Sequence, residues 1–284
     1  MRVYLNGRYQ ERDQAGLDVD DRSFLFGDGV YEVIRLYDGR PFELDRHLDR
    51  LEQSERGVWM EPVDRGTLAE VVAEFAAHEG RTWPDAIVYI QVSRGAAPRS
   101  HSFPDPPVPP TVLVWARPVK PVAPEQARAG IAAVTVADDR WARCWIKTVN
   151  LLPNVLAKEA ARRRGADDAV FVRDGMAIEA TSANLFVVRG GRLYTAPVTN
   201  YILPGVTRAV VLELADELGL EVRLEPTPVE ALEAAEEVFL TGTTTEVMPV
   251  TRLDGRTVGT GRMGPVTEAL WRAFRRRVGR PGDA

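Results

Sequence analysis

The segment Trp145-Ile146-Lys147-Thr148-Val149-Asn150 decides how the rest of this chain is interpreted, because it contains one of only three lysines. Lysine and arginine together total 36, so arginine supplies nearly every positive charge. Arginine keeps its proton in proteins and forms no imine with an aldehyde, whereas a lysine amine can lose its proton and form one. Rarity alone leaves an ordinary surface lysine as the alternative, and the other motifs of the chain decide between the two.

An acidic residue later in the chain gives Lys147 a chemical partner. Glu179 lies in Ile178-Glu179-Ala180-Thr181-Ser182-Ala183-Asn184. A Schiff-base lysine and a partner for a pyridine nitrogen are what an enzyme dependent on pyridoxal phosphate (PLP) requires. The two residues together therefore suggest a PLP site.

Composition excludes several other classes of protein. A net charge of −5 argues against a nucleic-acid partner, and the run Arg275-Arg276-Arg277 is expected to be the solvated face of a last helix. The single cysteine, Cys144, excludes an internal disulfide, and three scattered histidines do not indicate a zinc site. Neither a signal peptide nor a membrane-spanning run is apparent, so we expect a cytoplasmic protein with no membrane partner.

Hydrophobic periodicity and turn residues predict strands and helices that do not alternate regularly, which favours two α+β domains. Asn6-Gly7 predicts a hairpin, and Thr67-Leu68-Ala69-Glu70 is a capping-box pattern that opens a helix. Pro118, Pro121 and Pro124 are expected to interrupt any regular element. We therefore predict an N-terminal domain over 1–117, a linker over 118–124 and a C-terminal domain over 125–284.

Three segments could together bind a phosphate ester, which needs helix N-terminal amides, small hydroxyl residues and an arginine. Leu203-Pro204-Gly205-Val206-Thr207-Arg208 leads into the clearest helix, and Thr241-Gly242-Thr243-Thr244-Thr245-Glu246 follows a strand. Arg50 in His47-Leu48-Asp49-Arg50-Leu51 could add a bidentate charge. Each segment taken singly is also explained by a turn, a strand end or a solvated arginine.

Taken together, these motifs resemble the class IV, fold-type IV PLP-dependent aminotransferases, and the match covers nearly the whole chain. The stretches that carry the resemblance are Phe26-Gly27-Asp28-Gly29-Val30-Tyr31-Glu32, the Arg50 segment, Lys147 with Asn150-Leu151-Leu152, Glu179 with Thr181-Ser182-Ala183-Asn184-Leu185-Phe186, and the two glycine segments above. The resemblance implies an α+β fold with a smaller N-terminal α/β domain and a larger barrel-like C-terminal domain that binds PLP.

The resemblance also implies a role for each matching residue. Lys147 would hold PLP as a Schiff base and act as general base in a ping-pong transamination, while Glu179 would pair with the pyridine nitrogen. Leu203 would pack against the ring. The phosphate would be bound by Arg50, Val206, Thr207, Gly242 and Thr243.

One loop favours the D-amino acid transaminases within this family. Arg94-Gly95-Ala96-Ala97-Pro98-Arg99-Ser100-His101-Ser102-Phe103-Pro104 resembles their loop for the substrate carboxylate, in which Arg99 and His101 would act with Tyr31. An exposed surface loop is the alternative for this segment. Trp141, in a stretch that also resembles the D-amino acid enzymes, could line the pocket or be a structural tryptophan.

The expected reaction is transamination of D-amino acids of the D-alanine or D-glutamate type with 2-oxoglutarate or pyruvate as acceptor. Ala180, Thr181 and Ala183 depart from the pattern of the D-amino acid enzymes, and Pro204 and Gly242 are more typical of branched-chain enzymes. A branched-chain L-amino acid transaminase, an aminodeoxychorismate lyase and a non-catalytic PLP protein therefore stay open as alternatives. The family resemblance further implies a homodimer.

Overall fold

A computed structural model describes residues 1–280 of the chain. It divides into two compact units, of which the first comprises Met1–Lys120 together with Ile146–Leu151. The second comprises Pro121–Trp145 and the chain from Leu152 onward. Residues 125–284 were all predicted to form one domain, so the short segment that contains Lys147 is the main difference.

An antiparallel sheet of six strands, in the order β2-β1-β6-β5-β3-β4, is the centre of the first unit. The strands are β1 (Arg2–Leu5), β2 (Arg8–Glu11), β3 (Gly29–Tyr37), β4 (Arg40–Pro41), β5 (Asp85–Ser93) and β6 (Thr111–Pro118). Val30, Ile34, Val88, Ile90 and Val114 are fully buried on the long central strands. The β-branched residues favour this extended, buried backbone.

Three helices accompany this sheet, namely α1 (Arg22–Phe26), α2 (Leu44–Gly57) and α3 (Arg65–Glu79). Leu48 and Leu51 of α2 and Val72 and Phe75 of α3 are almost completely buried, at the spacing expected for one helix face. The N-cap of α3 is Asp64, whose side chain accepts a hydrogen bond from the Thr67 amide. The predicted cap at Thr67 was therefore wrong.

The second unit contains a sheet of ten strands that closes on itself within the described residues. The ring runs β10-β14-β15-β7-β8-β9 and returns to β10 through the pair Asn184 and Glu179. The strands are β7 (Ile131–Ala137), β8 (Asp168–Arg173), β9 (Met176–Ala180), β10 (Asn184–Arg189), β11 (Arg192–Thr195), β12 (Val222–Leu224), β13 (Thr227–Pro228), β14 (Glu237–Gly242), β15 (Glu246–Leu253) and β16 (Arg256–Thr257). The expected α+β fold with a barrel-like second domain is confirmed.

The helices of this unit are α4 (Pro124–Ala129), α5 (Leu152–Arg163), α6 (Val206–Glu217), α7 (Val229–Leu232) and α8 (Pro265–Arg277). Pro124 begins α4 rather than interrupting it, because the first turn of a helix needs no amide donor there. Val210, Val211 and Leu214 are buried on α6, as the helical spacing predicts. None of the helices described over residues 1–280 is long and apolar enough to cross a membrane.

Candidate active site

Lys147 lies on a short extended segment that pairs with the start of β3 in the first unit. The Lys147 carbonyl accepts a hydrogen bond from the Tyr31 amide at 2.9 Å, and Val30 and Thr148 form a β-bridge. The Lys147 amide donates to Oγ of Ser54 on α2 at 3.1 Å. Backbone bonds on both sides therefore fix the main chain from which the lysine side chain projects.

The Lys147 side chain is partly exposed and meets an aromatic ring. Its Nζ lies 4.3 Å from the centroid of the Tyr31 ring. Tyr31 stacks on Tyr89, which stacks in turn on Trp115. A π face stabilises an ammonium group and gives the flexible lysine a preferred direction. The structure therefore brings Lys147 and Tyr31 together.

Arg50 belongs to a buried ionic cluster on the same unit. Its Nε and Nη2 donate to the two carboxylate oxygens of Glu32 at 2.6 and 2.9 Å, and Nδ1 of His47 lies 2.8 Å from Glu32. Burial alone would raise the pKa of Glu32, but Arg50 and His47 outweigh burial and hold the pKa well below its usual range. Glu32 thus fixes the guanidinium of Arg50, although Glu32 was not among the predicted site residues.

Glu179 is a buried carboxylate in the barrel of the second unit. Its Oε1 accepts from Nη1 of Arg140 at 2.5 Å, and its Oε2 accepts from Nδ2 of Asn184 at 3.0 Å and from the Leu203 amide at 3.2 Å. Burial raises the pKa of Glu179 to about 7, although Arg140 opposes that rise. One further hydrogen-bond donor or cation would stabilise the charged form of this buried carboxylate.

Arg140 and Asn184 were not among the predicted site residues. Arg140 also bonds Asp138 and the Tyr201 carbonyl, and Asn184 also donates to the Leu203 carbonyl at 2.9 Å. Asn184 occurs in the Glu179 motif quoted from the sequence and Arg140 directly precedes Trp141, but only the folded barrel brings them to Glu179. The two residues orient Glu179 and connect it to the turn that carries Leu203.

The two predicted glycine segments lie in the second unit, one at the start of α6 and one at the end of β14. Val206 and Thr207 occupy the first positions of α6, which begins at Gly205 without a side-chain cap. Gly242 ends β14 and Thr243 follows in the turn. Uncapped helix amides and the adjacent hydroxyl-rich turn are suited to a phosphate group.

The remaining predicted residues, Arg99, His101, Trp141 and Tyr31, differ in exposure. Arg99 and His101 are exposed and meet on one ring, because the Arg99 guanidinium lies 5.2 Å from the Phe26 centroid and the His101 ring 5.5 Å from it. Tyr31 is partly exposed on β3. Trp141 is 43% exposed. The roles of these residues toward a substrate stay predictions.

Comparison with known proteins identifies the family. The profile described as amino-transferase class IV matches residues 29–253, a range that includes both Lys147 and Glu179. The chain belongs to the class IV aminotransferases. This class IV aminotransferase is 40% identical over 279 residues to the D-alanine aminotransferase of Bacillus licheniformis, covering 98% of this chain and 97% of that protein. The D-alanine aminotransferase of Staphylococcus epidermidis is 37% identical over 280 residues, covering 98% of both chains.

Solved structures show the same fold with a different named activity. The branched-chain aminotransferase of the archaeon Thermoproteus uzoniensis, solved with norvaline, gives a TM-score of 0.87 at 28% identity over 98% of this chain and 94% of that chain. The Escherichia coli branched-chain enzyme gives a TM-score of 0.88 at 30% identity, over 99% of this chain and 96% of that chain. A further branched-chain enzyme, solved with pyridoxamine 5'-phosphate, gives a TM-score of 0.89 at 30% identity, over 98% of this chain and 94% of that chain. The fold of the class IV aminotransferase therefore does not by itself distinguish the substrate groups.

Proposed function

We propose that this class IV aminotransferase uses pyridoxal 5'-phosphate to transfer amino groups from D-amino acids, of the D-alanine and D-glutamate type, to 2-oxoglutarate or pyruvate. The observation that carries the proposal is the near-full-length similarity to D-alanine aminotransferases, at 40% identity in the Bacillus licheniformis protein. The two substrates would react in turn, by a ping-pong mechanism.

The residues present fit this cofactor. Glu179 is a buried acceptor whose pKa burial raises to about 7, and a protonated ring nitrogen is the kind of donor that would lower it again. The uncapped first turn of α6 offers amides to a phosphate. Lys147 supplies the amine through which the aldehyde would be held.

When bound, PLP supplies an electron sink that makes the Cα hydrogen of an amino acid acidic. The chain would supply the proton transfer, because Nζ of Lys147 would take this proton as general base. Glu179 would keep the ring nitrogen protonated. Arg140 and Asn184 hold the Glu179 carboxylate in place for that role.

Binding and orientation belong to the remaining residues. Arg50, Val206, Thr207, Gly242 and Thr243 would bind the phosphate, and Leu203 would pack on the ring. Arg99, His101 and Tyr31 would bind the α-carboxylate of the substrate, which Arg99 can contact through two parallel hydrogen bonds. Trp141 would line the pocket. By fixing the direction of the carboxylate, these residues would select D-amino acids.

A branched-chain L-amino acid aminotransferase is the second candidate. It is favoured by the TM-score of 0.89 to the branched-chain enzyme solved with pyridoxamine 5'-phosphate. The identity to that protein is 30%, against 40% to the Bacillus licheniformis D-alanine enzyme. The sequence similarity therefore favours the D-amino acid function.

A half-reaction experiment tests both candidates. The PLP-loaded protein is mixed separately with D-alanine, D-glutamate, L-leucine and L-glutamate without a keto acid, and the absorbance of the lysine-bound cofactor is followed. We expect rapid loss of that absorbance with the D-amino acids alone. Conversion by L-leucine and L-glutamate would instead support the branched-chain function and remove the carboxylate role of Arg99 and His101.

The position of the cofactor can be tested independently of turnover. Borohydride reduction followed by peptide mass mapping should find the cofactor on Lys147 and not on Lys120 or Lys158, the other two lysines of the chain. A label on either of those lysines would contradict the assignment. Lys147→Arg, which keeps the charge, should abolish the label.

We also propose that the enzyme is a cytoplasmic homodimer. The exposed apolar residues Leu152, Val155 and Leu156 follow one another on a single face of α5, at 67%, 59% and 58% exposure. A contiguous apolar helix face of this kind is suited to burial against a second copy. Cell fractionation with antibody detection tests the compartment.

A further inference from the structure

A cluster of buried charges joins three segments of the first unit around Asp28. Its carboxylate accepts from Nε of Arg22 at 2.8 Å and, through both oxygens, from Nε and Nη2 of Arg94 at 2.8 and 3.0 Å. The side chains of Arg22, Asp28 and Arg94 are only 4%, 12% and 11% exposed. We call these three residues the Asp28 cluster.

Arg22 connects this cluster to the segment that carries Arg99 and His101. Its Nη1 donates to the Ser100 carbonyl at 2.7 Å and to the Ser102 carbonyl at 3.2 Å. These carbonyls lie on the two sides of His101, and Ser100 directly follows Arg99. One buried guanidinium therefore fixes the backbone that presents both side chains, with Asp28 holding Nε of the same group.

Aromatic rings support the side chains of the segment. The Phe26 ring faces the Arg22 guanidinium at 4.8 Å, the Arg99 guanidinium at 5.2 Å and the His101 ring at 5.5 Å. Arg94 lies 3.7 Å from the centroid of Phe103, and its Nη2 donates to the Val58 carbonyl at 2.6 Å. Exposed side chains such as Arg99 and His101 would otherwise sample many rotamers, so these contacts restrict them in advance.

We propose that Arg22, held by Asp28, is a positioning residue that presets the Arg99 and His101 pair for the substrate carboxylate. The proposal rests on the proposed function of that pair. A pre-ordered loop avoids part of the entropy that would otherwise be lost when the carboxylate binds. Arg22 thereby sets the affinity for the carboxylate and leaves the proton transfer at Lys147 unaffected.

Arg22→Lys tests the proposal because it keeps the charge beside Asp28. A single ammonium cannot reproduce the fork that reaches Asp28 and both carbonyls. We expect KM for D-alanine, and the dissociation constant of 2-oxoglutarate on the PLP form, to rise about tenfold. The half-reaction rate at saturating D-alanine and the absorbance of the lysine-bound cofactor should stay as in the wild type.

Arg56→Lys on α2 is the matched control, since that side chain is 69% exposed. It should change neither constant. An unchanged KM in Arg22→Lys would overturn the positioning role. A saturating rate that falls by the same factor by which KM rises would also overturn it. The first result excludes any effect on affinity, and the second indicates a general structural loss.

A double-mutant cycle separates this inference from the proposed function. If Arg22 acts through Arg99, the effects of Arg22→Lys and Arg99→Lys on KM should be clearly less than additive. Additive effects contradict the inference and leave the carboxylate role of Arg99 intact. No effect of Arg99→Lys on KM contradicts the proposed function of the loop itself.

Hydrogen exchange on the wild-type holoenzyme decides the question if Arg22→Lys does not fold. A preset segment over 99–103 should exchange at nearly the same rate with and without saturating 2-oxoglutarate, within about twofold. Strong protection that appears only with the keto acid would mean that the ligand orders the segment. That outcome would overturn the proposal.

Discussion

At the scale of single residues, three buried glutamates have different environments that set their charge. Glu32 is paired with Arg50 and His47, which lower its pKa, whereas burial raises the pKa of Glu179 to about 7. Glu55 on α2 is also fully buried, and its Oε2 has no hydrogen-bond partner. Arg50 and His47 both lower the pKa of Glu32, whereas Glu179 has a single cationic partner among the residues that the structure describes, Arg140, and the nearby Asp138 carboxylate raises its pKa further.

Glu55→Gln should remove a pH-dependent loss of stability. Burial raises the pKa of Glu55 to about 7. The Val63 amide, which donates to Oε1, offsets only part of this rise. Because the pKa is higher in the folded protein than in the unfolded chain, the wild type loses stability as pH rises from 4.5 through 7. This loss of stability is about 3 kcal/mol. The free energy of unfolding of Glu55→Gln relative to the wild type should therefore be higher at pH 8 than at pH 5 by about that amount.

Urea unfolding of both proteins at the two pH values measures this difference. Glu61→Gln, at an exposed position in the loop that follows α2, is the control for the loss of one carboxylate. An equal difference between Glu55→Gln and the wild type at both pH values would show that Glu55 does not titrate in this range.

The sequence identified candidate residues by their chemical type. It did not identify residues whose role depends on contacts with distant parts of the chain. Lys147 and Glu179 were singled out because their chemistry is distinctive. Arg140 was not singled out, because its hydrogen bond to Glu179 joins residues 39 positions apart and no local pattern indicates it. Glu32 was quoted within a motif, yet its bond to Arg50 depends on α2 packing beside β3.

At the scale of elements, the hairpin at Asn6-Gly7 and the helix that follows Gly205 were predicted correctly, and local exceptions account for the misses. The strand β9 was not predicted because it is short and carries the buried, polar Glu179. The helix α3 starts earlier than its capping-box pattern indicates, because Asp64 supplies the cap instead of Thr67. Asp and Thr are both favoured N-cap residues, so the sequence alone is compatible with two helix starts three residues apart.

Gly205→Ala should disturb the entry to α6. A Cβ at Gly205 would lie 2.0 Å from Oδ1 of Asn184, the residue whose Nδ2 bonds both Glu179 and the Leu203 carbonyl. Asn184 would have to move, so we expect a loss of about 1–3 kcal/mol in the free energy of unfolding. PLP affinity should fall as well, because Glu179 loses one of its donors.

Urea unfolding and a fluorescence titration with PLP measure the two effects. Gly16→Ala is the control, since a Cβ there meets nothing within 4 Å. Wild-type stability and PLP affinity in Gly205→Ala would mean that this turn tolerates a side chain and does not hold Asn184 in place.

At the scale of the whole molecule, proline spacing placed the predicted boundary at 118–124, and the two compact units divide at Lys120 and Pro121. The sequence did not indicate that Ile146–Leu151 returns to the first unit. This return depends on backbone bonds to Gly29 and Tyr31, which leave no trace in side-chain periodicity. Closure of the barrel through a single residue pair is equally invisible to local patterns.

Leu156→Glu should convert the proposed homodimer to a monomer. Leu156 lies in the exposed apolar face of α5 with Leu152 and Val155, and a carboxylate buried there without a partner would weaken association on the order of a hundredfold. Light scattering across a concentration series measures the change in mass. Leu224→Glu, at a similarly exposed position on β12, is the control and should stay dimeric. A dimer that persists in Leu156→Glu would exclude this face of α5 from the interface, while a monomeric wild type would contradict the homodimer itself.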